Sequence, residues 1–166
     1  MPAWAEGATL SVNGVEQPLV AGSYASVRRT WTGGEIVELA LPMLVRLTAA
    51  DERIDAVRGC VAVERGPLVY AVEQIDQPAG VVVDDLRVDP TGPTQAEHCP
   101  DLLGGVTVVS LHGMAVAHYS DGWPYPAADG RAAPADQPVK ITAVPYFAWA
   151  NRGIGPMRVW LPRLSS

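Results

Sequence analysis

The sequence predicts an all-β fold of one or more antiparallel β-sandwiches with little helix. Several short runs alternate apolar and polar residues with a period of two, the mark of sheets with one wet face. Glycine and proline, 16 and 15 of 166 residues, cut these runs at short intervals, as the turns of a sandwich do. No stretch keeps a helical period over three turns.

The first run, residues 8–12, leads into Asn13-Gly14. Both residues accept the positive φ of a type I′ turn, so a hairpin with a return strand after Val15 is expected. Residues 24–31 alternate again, with Ala25, Val27 and Trp31 on one side and Ser26, Arg28 and Thr30 on the other. Thr32-Gly33-Gly34 turns the chain into 35–41, where Val37, Leu39 and Leu41 face one way and Glu38 the other, and Pro42 closes that strand. Strands are expected at 44–48, at 60–63 and at 68–72, the last two separated by the break Arg65-Gly66-Pro67. The charged segment 49–58 reads as a connection. A strand over 81–88 is interrupted by Asp84-Asp85, and 106–111 and 114–118 form a second hairpin around His112-Gly113. Residues 120–138, with Pro124, Pro126, Pro134 and Pro138, make a long surface loop. Residues 140–144 resume strand character, Gly155-Pro156 turns, and 157–161 is the final strand.

Composition narrows the partners. Hydrophobic residues make up 48 %, charged ones 18 %, and the net charge is −6, enough apolar content for one domain or two small β units. Nucleic acid demands a basic patch, which this acidic chain lacks, and anionic lipid is disfavoured on the same ground. No apolar run approaches the roughly 18 residues that span a bilayer. Met1-Pro2-Ala3-Trp4 lacks the basic start and apolar segment of a signal peptide. A soluble chain is expected, and its compartment stays open. Cys60 and Cys99 carry no pairing signature and are expected as free thiols. His98 beside Cys99 has no second pair at ligand spacing, so no metal site is expected.

Aromatic residues concentrate in 142–161, TAVPYFAWANRGIGPMRVWL, which holds Tyr146, Phe147, Trp149 and Trp160. Its centre joins Trp149 to the amide of Asn151, the planar cation of Arg152 and Gly153. Aromatic faces stack on sugar rings while amide and guanidinium groups bond hydroxyls, so Trp149, Asn151 and Arg152 are candidate ligand residues, as are Trp123 and Tyr125 in the proline-rich loop. The competing reading of the trio, which we prefer, is structural: Trp149 fills a core, Asn151 takes a turn conformation, and Arg152 binds backbone carbonyls or braces a neighbouring domain. Trp123 and Tyr125 equally fit an exposed loop or a domain interface, and Tyr70 reads as core. Glycoside hydrolysis needs two carboxylates about 5–9 Å apart. Glu35, Glu38, Glu64 and Glu73 sit on or beside strands, where alternation assigns them to the wet face, so no catalytic residue is expected. No Gly-x-Ser-x-Gly elbow is present, and the three histidines lack recognisable partners.

Several phrases together resemble a known family. Pro2-Ala3-Trp4-Ala5 with Leu10-Ser11-Val12-Asn13-Gly14, then Glu64-Arg65-Gly66-Pro67-Leu68-Val69-Tyr70, then Pro145-Tyr146-Phe147-Ala148-Trp149-Ala150-Asn151-Arg152-Gly153 and Met157-Arg158-Val159-Trp160-Leu161 are similar to the C-terminal part of glycoside hydrolase family 127, the β-L-arabinofuranosidase-like enzymes. The resemblance runs from residue 2 to about 162. It implies that the parent protein carries an (α/α)6 catalytic barrel ahead of the β region, and that the zinc-bound cysteine nucleophile belongs to that barrel. It implies no cofactor for this chain, which is expected to act as an accessory domain without activity of its own. The expected partners are the barrel of the same parent protein, a second copy of the chain, or carbohydrate. The start at Pro2-Ala3-Trp4 is expected to fall inside a sandwich of a longer protein. Finally, the resemblance implies two β units: residues 1–48 with 156–166 as part of a first sandwich, and residues 49–155 as a second.

Overall fold

The computed structural model describes residues 1–118 and 135–164. Most of the proline-rich loop, with Trp123 and Tyr125, lies outside the described residues. The protein is all-β: among the described residues the only helical pieces are single 3-10 turns at Asp55–Val57, Gln74–Asp76, Val83–Asp85 and Tyr146–Ala148. The chain divides into two units, Met1–Leu44 with Arg65–Pro67, and Val45–Glu64 with Leu68–Ser166. The division expected after residue 48 thus comes after Leu44.

The smaller unit holds β1 (Thr9–Val12), β2 (Val15–Gln17) and β3 (Val37–Ala40), an antiparallel sheet in the order β2-β1-β3. The turn from β1 to β2 is the expected one, with Asn13 at φ 51° and Gly14 at φ 76°. Asn13 also donates its backbone N–H to the Ile36 carbonyl at 2.8 Å and accepts the Ile36 N–H on Oδ1 at 2.9 Å. One residue therefore serves both the turn, through its backbone, and the entry to β3, through its backbone N–H and its side chain. Register places Leu10 opposite Leu39 and Val12 opposite Val37. Leu10 and Val12 are buried, while Val15, Val37 and Leu39 on the flanking strands remain exposed. Residues 24–31 do not form the expected strand. Among the described residues no strand pairs with them, and an alternating pattern alone cannot satisfy a strand's backbone groups.

The larger unit contains β4 (Val45–Ala49), β5 (Cys60–Arg65), β6 (Leu68–Glu73), β7 (Leu86–Val88), β8 (Gln95–Cys99), β9 (Val106–Ala115), β10 (Gln137–Pro145), β11 (Met157–Arg158) and β12 (Trp160–Pro162). The sheet runs β12-β5-β6-β10-β9-β7, with β4 on β5, β11 on β6 and β8 on β9. Its two ends meet. Val88 in β7 bridges Arg163 in parallel, and Leu164 donates to the Val88 carbonyl at 2.8 Å. The curled sheet encloses one core, in which Tyr70, Leu86, Leu111, Ile141 and Leu161 are almost wholly buried. Tyr70 is core as expected, and its hydroxyl donates to the Thr107 carbonyl at 3.0 Å, so the buried polar tip is satisfied. A second, smaller cluster gathers Val106, Val108, Val144 and Ala148.

Two expectations are corrected here. The final strand does not return to the first unit: Trp160, Leu161 and Pro162 pair with Ala62, Val61 and Cys60 of β5, and Leu161 seals the larger core. Nor does His112-Gly113 form a hairpin, because β9 runs unbroken through both residues. Gly113 lies opposite Val88 of β7 and Val139 of β10. A Cβ there would run into the Arg87 carbonyl oxygen and come within 2.7 Å of Ile141 Cδ1. The glycine marks a close backbone approach and not a turn.

This close approach makes Gly113→Ala strongly destabilising. A loss of about 1–3 kcal/mol, typical of forced overpacking, is expected in urea unfolding, with residual structure in the smaller unit's β1–β2 hairpin unaffected by amide exchange.

Candidate functional site

The most densely bonded polar cluster in the larger unit forms where β6 ends. Glu73, the last residue of β6, pairs across from Met157, and the 3-10 turn that follows carries Asp76 back beside it. After β10 a second 3-10 turn, Tyr146–Ala148, leads into a tight bend. The residue with positive φ in that bend is Ala150, at 60°, and not Asn151. The bend delivers Arg152 between the two acids. Arg152 Nη2 donates to Glu73 Oε2 and Asp76 Oδ2, and Nη1 to Asp76 Oδ1, each at 2.6 Å. The other Glu73 oxygen accepts the Ala150 N–H at 2.9 Å. Fork-to-carboxylate bonds of this length are charge-assisted and directional. Asp76 first, and Glu73 after it, raise the Arg152 guanidinium above its ordinary range against the opposing effect of burial.

Two glutamines fasten the surrounding loops. Gln77 Nε2 donates to the carbonyls of Glu73 and Thr142 at 2.8 and 2.9 Å, while its Oε1 accepts the Thr142 N–H at 3.2 Å. Gln74 Nε2 donates to the Val81 carbonyl at 2.7 Å and its Oε1 accepts the Val83 N–H at 3.0 Å. The 146–156 segment itself is held by the Arg152 and Ala150 bonds to the two acids and by the Gln74 N–H, which donates to the Pro156 carbonyl at 3.0 Å.

The expected site residues are brought together only in part. Arg152 binds carboxylates in place of the expected carbonyls, because two acids converge on it. Asn151 uses its amide inward, donating from Nδ2 to the Ala148 carbonyl at 3.0 Å. Trp149 is not core: it is 38 % exposed and stacks on Tyr146 with ring centroids 6.0 Å apart and planes at 26°. Phe147, 68 % exposed, points its ring outward beside this stack.

The sequence reading missed Glu73 and Asp76. Alternation assigned Glu73 to the wet face, yet it is only 6 % exposed, because the 146–152 segment folds over the end of β6. The signal available was a carboxylate ending an apolar strand, a second acid three residues on, and an arginine in a distant glycine-rich bend. Glu64 is also engaged, accepting from Arg46 Nη2 at 2.6 Å and Thr48 Oγ1 at 2.8 Å. Glu38 accepts from Ser11 Oγ at 3.3 Å. Glu35 accepts the Thr32 N–H, and this bond lowers its carboxyl below the usual range.

These acids are poorly placed for glycoside hydrolysis. Glu73 and Asp76 face one shared cation instead of straddling open space. The cleft beside them, lined by Glu73, Gln74, Ile75 and residues 152–156, has a volume of about 70 Å³, room for a few waters. A larger open cleft of about 360 Å³ is lined by Ala49, Ala50, Glu52, Arg58, Gly59, Cys60 and Arg163 and contains a single carboxylate. Cys60 and Cys99 are free thiols. Among the described residues no group of three or more His, Cys, Asp or Glu could hold a metal ion. No helix among the described residues is long and apolar enough to cross a membrane.

Comparison with known proteins decides the family. Residues 45–162 match the glycoside hydrolase family 127 C-terminal domain, and residues 1–43 match the family 127 β-L-arabinofuranosidase middle domain. The chain belongs to glycoside hydrolase family 127. The two family 127 domains meet at residues 43–45, where the two structural units also divide. A non-reducing end β-L-arabinofuranosidase of Bifidobacterium longum subsp. longum is 39 % identical over 170 residues, which is 98 % of this chain and 25 % of that enzyme. The crystal structure of a family 127 β-L-arabinofuranosidase from Geobacillus stearothermophilus T6 superposes with a TM-score of 0.84 at 34 % identity, covering 99 % of this chain and 26 % of that one. A second solved glycoside hydrolase gives a TM-score of 0.86 at 32 % identity, covering 99 % of this chain and 27 % of the other. This family 127 chain thus spans about a quarter of the length of these relatives.

The ion network predicts an asymmetric response to substitution. Arg152→Ala strands two largely buried carboxylates and is expected to destabilise the larger unit by about 2–3 kcal/mol. That is less than the 3–5 of a fully enclosed pair, since the guanidinium edge reaches solvent. Chemical unfolding of the wild type and the variant at neutral pH measures the loss.

Proposed function

We propose that this chain is the non-catalytic β portion of a family 127 glycoside hydrolase, and that it serves by packing against the catalytic region of its parent enzyme. One observation carries the reading: among the described residues the buried acids Glu73 and Asp76 are engaged by Arg152, and the clefts beside Arg152 and at residues 49–60 do not set one open carboxylate opposite another. The parent's expected chemistry is hydrolysis of an arabinofuranoside or a related glycoside. The length of the relatives, about four times that of this chain, supports a catalytic region beyond the residues present.

Two further partner readings rest on separate observations. The exposed Tyr146–Trp149 stack offers ring faces of the kind that carbohydrates use, which favours a glycan-binding role for Trp149. Calorimetric titration with arabinose-containing oligosaccharides, repeated on Trp149→Ala, tests it. The exposed apolar side chains Val15, Val37 and Leu39 in the smaller unit favour self-association, which sedimentation tests directly.

For the leading reading, the chain by itself is expected to release no product from aryl arabinofuranosides over the uncatalysed background. Turnover that vanishes on Glu73→Gln or Asp76→Asn would overturn it.

A further inference from the structure

We infer that the hook at residues 146–154 is a docking surface for the part of the full-length family 127 enzyme that this chain does not span, and that Phe147 is its anchor. This rests on the accessory reading given above and assigns that role a specific face.

The polar groups of the hook point inward. The Asn151 amide is spent on the Ala148 carbonyl, the Ala150 N–H on Glu73, and both Nη groups of Arg152 on Glu73 and Asp76. The large side chains exposed beside them are aromatic or aliphatic: Tyr146, Phe147 and Trp149 on the bend, and Ile154 and Ile75 lining the cleft beside Arg152. A hydroxyl-rich ligand requires free donors and acceptors next to its stacking face. A protein surface requires an aromatic anchor with few unpaired polar groups. The hook meets the second requirement.

Exposure alone would be unremarkable for one side chain, but several large apolar groups on a single bend are what monomeric surfaces avoid. The ion network also fixes the bend in advance, so little ordering entropy is lost on docking. The occupant follows from length: the Bifidobacterium relative matches this chain over only 25 % of its own sequence, and the remaining three-quarters is the largest surface a parent enzyme offers.

The test replaces the matching segment of the full-length Bifidobacterium enzyme with this chain and compares hydroxyl-radical labelling of Tyr146 and Phe147 in the chimera and in the free chain. Protection of about tenfold, as for a desolvated anchor, is expected. Equal labelling in a chimera that keeps arabinofuranosidase activity overturns the docking assignment and leaves the accessory reading intact. Equal labelling along the whole chain, with independent unfolding of the two parts, overturns both. Should the chimera fail to fold, the free chain is titrated against the Bifidobacterium enzyme lacking that segment. A Kd at least about tenfold weaker for Phe147→Asp than for wild type supports the assignment. Equal Kd values overturn it alone, and no binding by the wild-type chain overturns both. Phe147 is mostly in solvent, so the substitution leaves the fold intact.

Discussion

Arg152 reaches across the larger unit to two acids that lie 76 and 79 residues earlier in the chain, and the arrangement of the whole 146–156 segment depends on that reach. Glu73 terminates a strand whose last three residues before it, Tyr70, Ala71 and Val72, are buried, and its charge lies under the bend that covers it. The guanidinium supplies the compensation, and the Ala150 N–H takes the remaining carboxylate oxygen. Buried charge of this kind is weak evidence for stability in itself, since desolvation opposes the Coulomb gain. Its stronger effect is on uniqueness: one geometry satisfies both acids, and that geometry throws Phe147 and the Tyr146–Trp149 stack outward.

The platform beneath this bend is a sheet whose ends meet. Joining Val88 to Arg163 removes one pair of open edges, and the small final strand, three residues long, becomes structurally indispensable because Leu161 plugs the interior. Gly113 permits the same closure from the other side by letting the Arg87 carbonyl approach β9. The long-range pairings therefore depend on a few positions with little tolerance for added volume, while the hook exposes Phe147 and Ile154 and the smaller unit exposes Val15, Val37 and Leu39.

The carboxylates of this family 127 chain that lie on or beside strands are held in polar contacts. Each acid singled out by its strand position has a partner at hydrogen-bond distance: Arg152 for Glu73, Arg46 and Thr48 for Glu64, Ser11 for Glu38 and Thr32 for Glu35. Acid–base work needs a carboxyl group free to exchange protons with a substrate. Among the described residues these groups act as fasteners.

The sequence by itself determined the all-β class, the Asn13-Gly14 hairpin, the position of Tyr70 in the core and the family, because turn chemistry, period-two patterning and unusual phrases are local properties. It misplaced what depends on neighbours. Residues 24–31 alternate like a strand yet find no partner, and His112-Gly113 looks like a turn yet serves a crossing strand. The last strand joins the sheet that leaves an edge open, whatever its sequence neighbours. Glu73 shows the reason most clearly: alternation tells which side of a strand a residue faces, but only the tertiary fold decides whether that side meets water or the far end of the chain.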